Sequence, residues 1–199
     1  MRKILVSLSL LLIGFAQAAK AEVGTSIGVR SGIYMSQNSI NGQKFTSSHL
    51  AYDVDWLRHR KTLTWGLGLR KREADSSVGK LSFTGIDFLI GYYSNKGNKN
   101  RLGFHGVFGV GPGSMAGVGN GYARGGISTH VEMRGGLDLV VMRASSAPAG
   151  KTPSAMVLTM DLGLDGLSHR IRPASAPKGS EKVSTTTGKV LSLGLRYDF

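Results

Sequence analysis

Residues 127–141 read Ile-Ser-Thr-His-Val-Glu-Met-Arg-Gly-Gly-Leu-Asp-Leu-Val-Val. Ile127, Thr129, Val131, Met133, Leu137, Leu139 and Val141 share one parity, and Ser128, His130, Glu132, Arg134, Gly136 and Asp138 share the other. A period of two belongs to a β-strand, in which successive side chains point to opposite faces. The same two-faced pattern recurs on both sides of this segment. Its apolar face carries Ile27, Val29 and Ile33, then Leu50, Tyr52, Val54 and Trp56, then Leu63, Trp65, Leu67 and Leu69. Ile86, Phe88, Ile90 and Tyr92 follow, then Leu102, Phe104, Phe108 and Val110. Met156, Leu158, Met160, Leu162 and Leu164 form the seventh such face, and Leu191, Leu193, Leu195, Tyr197 and Phe199 the eighth. Leu81, Phe83 and Leu89 break the pattern of the fourth. Eight amphipathic strands are predicted.

Composition agrees with an all-β chain. Of 199 residues, 29 are glycine, about double the usual share of ~7%. The absence of cysteine removes disulfides, thiolate metal sites, a cysteine nucleophile and a lipidated N-terminal cysteine. A formal net charge of +13 points to anionic partners. Residues 1–21 read as a secretory signal peptide: Arg2 and Lys3, an apolar run from Ile4 to Phe15, then small residues at cleavage spacing after Ala18 or Ala21. The remainder, 22–199, has no apolar run long enough for a spanning helix.

Alternation alone does not say which face is inside, so a soluble sandwich, a lipocalin-like barrel and a membrane barrel all start level. Three features favour the membrane barrel. The polar face is mostly glycine, serine, threonine and charge, which suits a narrow eight-strand lumen, while the bulky face suits the convex outside. All eight strand carboxylates, Asp53, Asp55, Asp87, Glu132, Asp138, Asp161, Asp165 and Asp198, fall on the polar face, and of the basic strand residues only Lys189 falls on the other. A lipid-facing Arg or Lys at mid-bilayer costs about 2–4 kcal/mol, so a membrane barrel requires this segregation. Finally, connections 36–47, 73–79, 113–126 and 168–184 tend to be long and 58–61, 94–100 and 143–152 short. Trp56, Trp65, Tyr92, Phe104, Tyr197 and Phe199 lie at the short-turn ends on the apolar face, as a membrane-interface girdle would. The expected fold is an all-β, eight-stranded, antiparallel up-and-down transmembrane β-barrel.

The terminal Leu191-Ser192-Leu193-Gly194-Leu195-Arg196-Tyr197-Asp198-Phe199 resembles the C-terminal strand signal that outer-membrane barrels present to their assembly machinery. In strand pattern and length, too, the mature chain resembles the small eight-stranded outer-membrane barrels of the OmpA transmembrane, OmpX and opacity type. That resemblance implies export to the periplasm, residence in a bacterial outer membrane, the assembly machinery as a partner, and a monomer.

Within such a barrel the lumen is expected to hold a polar network of Arg30, Asp53, Arg70, Asp87, Arg101, His105, His130, Glu132, Arg134, Asp138, Asp161 and Arg196, because buried charges are costly unless paired. This argues against a wide pore, with a narrow gated ion path as the alternative. Ser128, His130 and Glu132 stand two residues apart, about 7 Å, too far for a nucleophile–base hydrogen bond. None of the five histidines is followed by serine two positions on, as in lipid A deacylases. His49, Asp75 and Ser76 loosely resemble the set used by lipid A palmitoyltransferases, a family that holds an acyl chain in an apolar lumen, whereas a charged lumen is expected here. Neither an enzyme, a metal site nor a cofactor is expected. A lipid A-modifying enzyme is the alternative of another class. Gly109-Val110-Gly111-Pro112-Gly113 lacks the Lys-Ser or Lys-Thr of a phosphate loop. The stretch from Gly117 to Gly126 reads as a mobile surface loop in which Tyr122 and Arg124 could touch a partner. Arg170, Arg172, Lys178 and Lys182 form a basic segment suited to the phosphates of lipopolysaccharide. No nucleic-acid motif accompanies it. The expected role is structural, or surface adhesion and recognition through the basic and glycine-rich loops.

Overall fold

The computed structural model describes residues 24–40, 43–60, 62–76, 79–95, 100–118, 122–123, 127–146, 153–173 and 182–199. Eight long strands follow one another: β1 (Gly24–Ile40), β2 (Gln43–Arg60), β3 (Leu63–Ser76), β4 (Gly79–Tyr93), β5 (Leu102–Val118), β7 (Ile127–Arg143), β8 (Ala155–Pro173) and β9 (Lys182–Asp198). A two-residue segment, β6 (Tyr122–Ala123), pairs with the end of β8. Each long strand pairs antiparallel with its sequence neighbour, and β9 pairs back onto β1, so the sheet closes. Among the described residues no helix is long and apolar enough to cross a membrane.

The pairing frame fixes the barrel's shape. A walk through register partners runs Ile27, Trp56, Leu67, Phe88, Val110, Val131, Gly166, Thr187 and back to β1 at Gln37, ten residues from its start. Eight strands with that stagger tilt by about 40° from the axis and leave an interior only as wide as the side chains that fill it. Outward-facing apolar residues form a continuous belt that includes Val29, Leu50, Ile86, Phe88, Phe108, Met133, Leu162 and Leu193, with Leu162 and Leu193 63% and 58% exposed. On β8 the belt runs from Met156 to Leu164. At about 3.3 Å per residue and 40° of tilt this is about 20 Å, comparable to the apolar band of membrane barrels.

Three strand pairs and the single strand β5 run past this belt. β1 and β2 continue to the pair Ile40–Gln43 and β3 and β4 to Ser76–Gly79, while β5 reaches Val118 and β8 and β9 absorb much of 168–184. Most of what the sequence pattern assigned to long loops is therefore strand; of the stretch from Gly117 to Gly126, 117–118 and 122–123 are strand and the rest lies outside the described residues. Above the belt nothing requires the outer face to be apolar, so the pattern stops before the strand does. Lys189 is accordingly not alone on the outer face: Lys44 and Lys71 are exposed there as well. Glu73 pairs with Lys80 and lies 3.7 Å from Lys71 above the belt.

Glycine has a steric role where strands press together. A Cβ on Gly32 would stand 2.2 Å from the Leu191 carbonyl across the β1–β9 seam, and one on Gly111 would stand 1.9 Å from the Ile86 carbonyl.

Candidate functional site: the packed lumen

The middle of the lumen is a web of ion pairs spanning the barrel. Asp55 is its hub, accepting from Arg30 Nη2 at 2.5 Å, Arg70 Nη1 at 2.7 Å and Arg134 Nη2 at 2.5 Å. Arg70 also donates from Nε to Glu132 at 3.0 Å, pairs with the same carboxylate through Nη2, and lies 3.4 Å from Asp87. Arg72 bridges Asp53 at 2.6 Å and Asp165 at 2.5 Å. Arg30 approaches Asp161 at 3.1 Å, and Arg134 approaches Glu132 at 3.1 Å. The web thus ties β1, β2, β3, β4, β7 and β8 together across the lumen. All these side chains are buried. Each guanidinium offers a fork of donors matched to carboxylate geometry, which is why arginine rather than lysine suits such a site.

Two histidines extend the web. His130 Nδ1 lies 2.6 Å from Asp87 and Nε2 3.3 Å from Asp165. His105 Nδ1 lies 2.9 Å from Asp138 and Nε2 2.8 Å from Asp161. Nearer the short turns, Arg196 donates to Asp138 at 3.1 Å and to Asp198 at 2.8 Å and covers the Tyr93 ring at 4.6 Å. Tyr93 in turn stacks on His105 with ring centroids 4.9 Å apart.

Apolar layers cap the web at both ends. Leu81, Phe83, Met115 and Leu167 cluster on the loop side, and Leu57, Leu89, Tyr93 and Val107 on the turn side. Leu81, Phe83 and Leu89, which break the alternation of β4, are these plugs. The lumen therefore holds more bulky apolar groups than its sequence parity implies, packed on both sides of the central charges.

Of the lumen residues named from sequence, all but one face this interior. Arg101 does not. It is exposed in the turn before β5, where its carbonyl accepts the Val140 N–H at 2.8 Å. Counting parity back through a turn misassigned it. Arg72 was missed for a related reason: outward-facing Lys71 interrupts the apolar face of β3 and makes the strand seem to end at Arg70. Asp55 and Asp165, recognised as polar-face carboxylates, join the web as well.

Other candidates fall elsewhere. Trp56 and Trp65 are half-buried, and Tyr92, Phe104, Tyr197 and Phe199 are exposed, all at the turn end on the outer face. Tyr92 meets Phe104 at 5.8 Å and Tyr197 meets Phe199 edge-on at 4.8 Å. Arg170 is exposed on β8, and Arg172 and Lys182 lie within β8 and β9. Lys178, Arg124 and the segment 1–21 lie outside the described residues. Ser128 sits one step from His130 on the inner face of β7, with no hydrogen-bond partner for its hydroxyl among the described residues. His49 Nε2 lies 2.9 Å from Asp75 at the loop end, and the Asp75 N–H donates to the Ser47 hydroxyl at 2.9 Å.

Asp87, His130 and Glu132 bring metal-type ligand atoms within 4.8 Å of one another. They suit a metal poorly, because Arg70 already places its guanidinium against Glu132 and Asp87. The position a cation would take is filled by one.

No family model and no curated protein matches this sequence. Solved structures do match. The chain is similar to Neisserial surface protein A, at 10% identity and a TM-score of 0.55, over 85% of this chain and 95% of that one. It is similar also to the outer membrane protein OprG of Pseudomonas aeruginosa, at 12% identity and a TM-score of 0.51, over 87% and 95% of the two chains. The closed sheet, the ten-residue stagger and these similarities lead to one conclusion: the chain has the fold of the small eight-stranded outer-membrane β-barrels.

Proposed function

We propose that this chain is an integral protein of a bacterial outer membrane that works as a structural or surface-interaction element and does not conduct solutes. The observation that carries this reading is the lumen. The Asp55–Arg70–Glu132 web fills the mid-section, and apolar side chains pack on either side of it. An ion would have to break several buried ion pairs and pass two apolar layers. The web then serves to hold the wall together rather than to pass solute. Function falls to the outer surface: the apolar belt and aromatic girdle seat the barrel in lipid, and the strand extensions carry the loops away from the membrane.

The loop end is basic on its outer face, with Lys44, Lys71, Lys80, Arg170 and Lys189 described there. Lipopolysaccharide phosphates are the partner this charge suits. The C-terminal strand, closed on β1, is the element offered to the assembly machinery. The barrel acts as a monomer and catalyses no reaction. Single-channel recording on the refolded protein in planar bilayers tests the reading. The expected trace is silent, with folding checked by heat-modifiable gel migration of the same sample. Reproducible conductance steps from the folded band would overturn it. Altered lipid A acylation in cells that carry the protein would overturn the non-enzymatic part.

A further inference from the structure

The inward-facing glycines of this barrel include several that sterics demand, but three outward-facing ones, Gly106, Gly135 and Gly166, have no such reason, and the first two lie side by side. Gly106 of β5 and Gly135 of β7 are register partners on the apolar outer face. A Cβ on Gly106 would meet nothing nearer than the Arg134 carbonyl at 4.0 Å, and one on Gly135 nothing nearer than the His105 carbonyl at 3.5 Å. Both positions would accept a larger side chain, and glycine within a strand costs stability. Around them the outer face is bulky: Tyr92, Phe108, Met133 and Leu162 stand on all sides.

The two glycines lie in an open groove of about 930 Å³ on the outer wall. It follows one row of hydrogen-bond partners across the barrel wall, Leu63, Tyr92, Gly106, Gly135 and Leu162. Its turn-side end is marked by Tyr92. Its loop-side end is marked by Lys189, which lies beside Leu164 at the upper edge of the belt. Among the described residues no carboxylate pairs with Lys189. From Tyr92 on β4 the row crosses four strand spacings to reach β9 at Leu191, two residues from Lys189, about 19 Å at about 4.8 Å each, the length of an extended acyl chain of about 14 carbons.

We propose that this groove is a specific lipid site, holding one acyl chain of a phosphorylated, polyacylated lipid of the lipid A class, with Lys189 paired to its phosphate. The proposal rests on the outer-membrane location proposed above, which places Lys189 at the level of the outer-leaflet phosphates. Dispersion against Phe108, Met133 and Leu162 holds the chain, and the two glycines provide the depth that lets it lie below the general lipid surface. Lys189 selects charge.

Native mass spectrometry of the folded barrel released from detergent micelles, with added diphosphorylated lipid A, tests this. One lipid should remain bound to the wild type. Gly135→Leu, whose Cβ would make only an ordinary van der Waals contact with the His105 carbonyl at 3.5 Å while its side chain fills the groove, and Lys189→Ser should each weaken retention about tenfold. Gly106→Ala should weaken it less, and dephosphorylated lipid A should bind the wild type no better than it binds Lys189→Ser. Equal retention by all variants would overturn the proposal, as would equal retention of phosphatidylglycerol. Heat-modifiable migration confirms that each variant is folded. Because this readout needs no bilayer and no conductance measurement, a conducting barrel would refute the preceding reading and leave the lipid site standing.

Discussion

Replacing Arg70 by methionine removes the guanidinium that Asp55, Glu132 and Asp87 share, in a side chain that is only 1% exposed. Methionine is shorter but unbranched and of similar volume, so it can keep the contacts of the aliphatic stem while the charge is lost. Breaking one side of a buried pair typically costs 3–5 kcal/mol, because the remaining carboxylates are left without compensation. At about 1.4 kcal/mol per decade, this lowers the ratio of folded to unfolded barrel by about 10²- to 10³-fold or more. Arg30 and Arg134 still hold Asp55, and Arg134 and Arg72 still approach Glu132, so the lower end of the range is expected. The measurement is equilibrium urea unfolding of the protein in lipid vesicles, followed by the fluorescence of Trp56 and Trp65. Lys71→Met is the matched control, since Lys71 is the next residue but faces outward above the belt. Its cost should stay below about 1 kcal/mol. The double variant Asp55→Asn with Arg70→Met should lose less than the sum of the two single changes, with a coupling of at least about 1 kcal/mol. If Arg70→Met and Lys71→Met shift the midpoint equally, the web contributes nothing specific and the account of the lumen is wrong.

Three further outcomes are expected. Leu193→Arg places a charge in the middle of the belt and should cost about 2–4 kcal/mol in the same unfolding assay, while Val183→Arg, beyond the belt on the same strand face, should cost about 0–1. Gly32→Val should prevent the β1–β9 seam from closing, since even its Cβ would collide with the Leu191 carbonyl, and a heat-modifiable gel should show no compact band; a compact band at wild-type yield would contradict the register. Lys80→Ala removes a half-buried surface pair with Glu73 and should change stability by less than about 1 kcal/mol; a larger loss would mean that the strand extensions above the belt help hold the barrel together.

The outer face of this barrel was legible from sequence because lipid imposes one requirement along most of the belt: a bulky apolar residue at every second position. Leu191 to Phe199 and Met156 to Leu164 obey it without exception, and their faces can be read by eye. The inner face carries no such uniform demand. It accepts Asp55 and Leu57 on the same strand, so parity alone could not show that Leu81, Phe83 and Leu89 belong inside. The ion partners were less legible still. Arg70 meets Glu132, sixty-two residues away, only because the ten-residue stagger brings β7 to the height of β3. That stagger is set by all eight registers together and appears in no single strand. Strand ends were misread where the lipid requirement lapses, which is why Lys71 hid Arg72 and why Ile40 and Gln43 looked like loop.

The seam between β1 and β9 joins Ser26 to Asp198, almost the full span of the chain. Every other neighbouring pair in the wall is a hairpin that can form as soon as its second strand is available, but this one must wait for both termini of the sheet. Until they meet, two long strands expose unpaired amides and carbonyls, and contacts of such sequence separation form slowly. The last hydrogen bonds to form are thus the ones that abolish the edges. Any companion that shelters those strands before closure governs whether the polypeptide becomes a sealed cylinder or an aggregate.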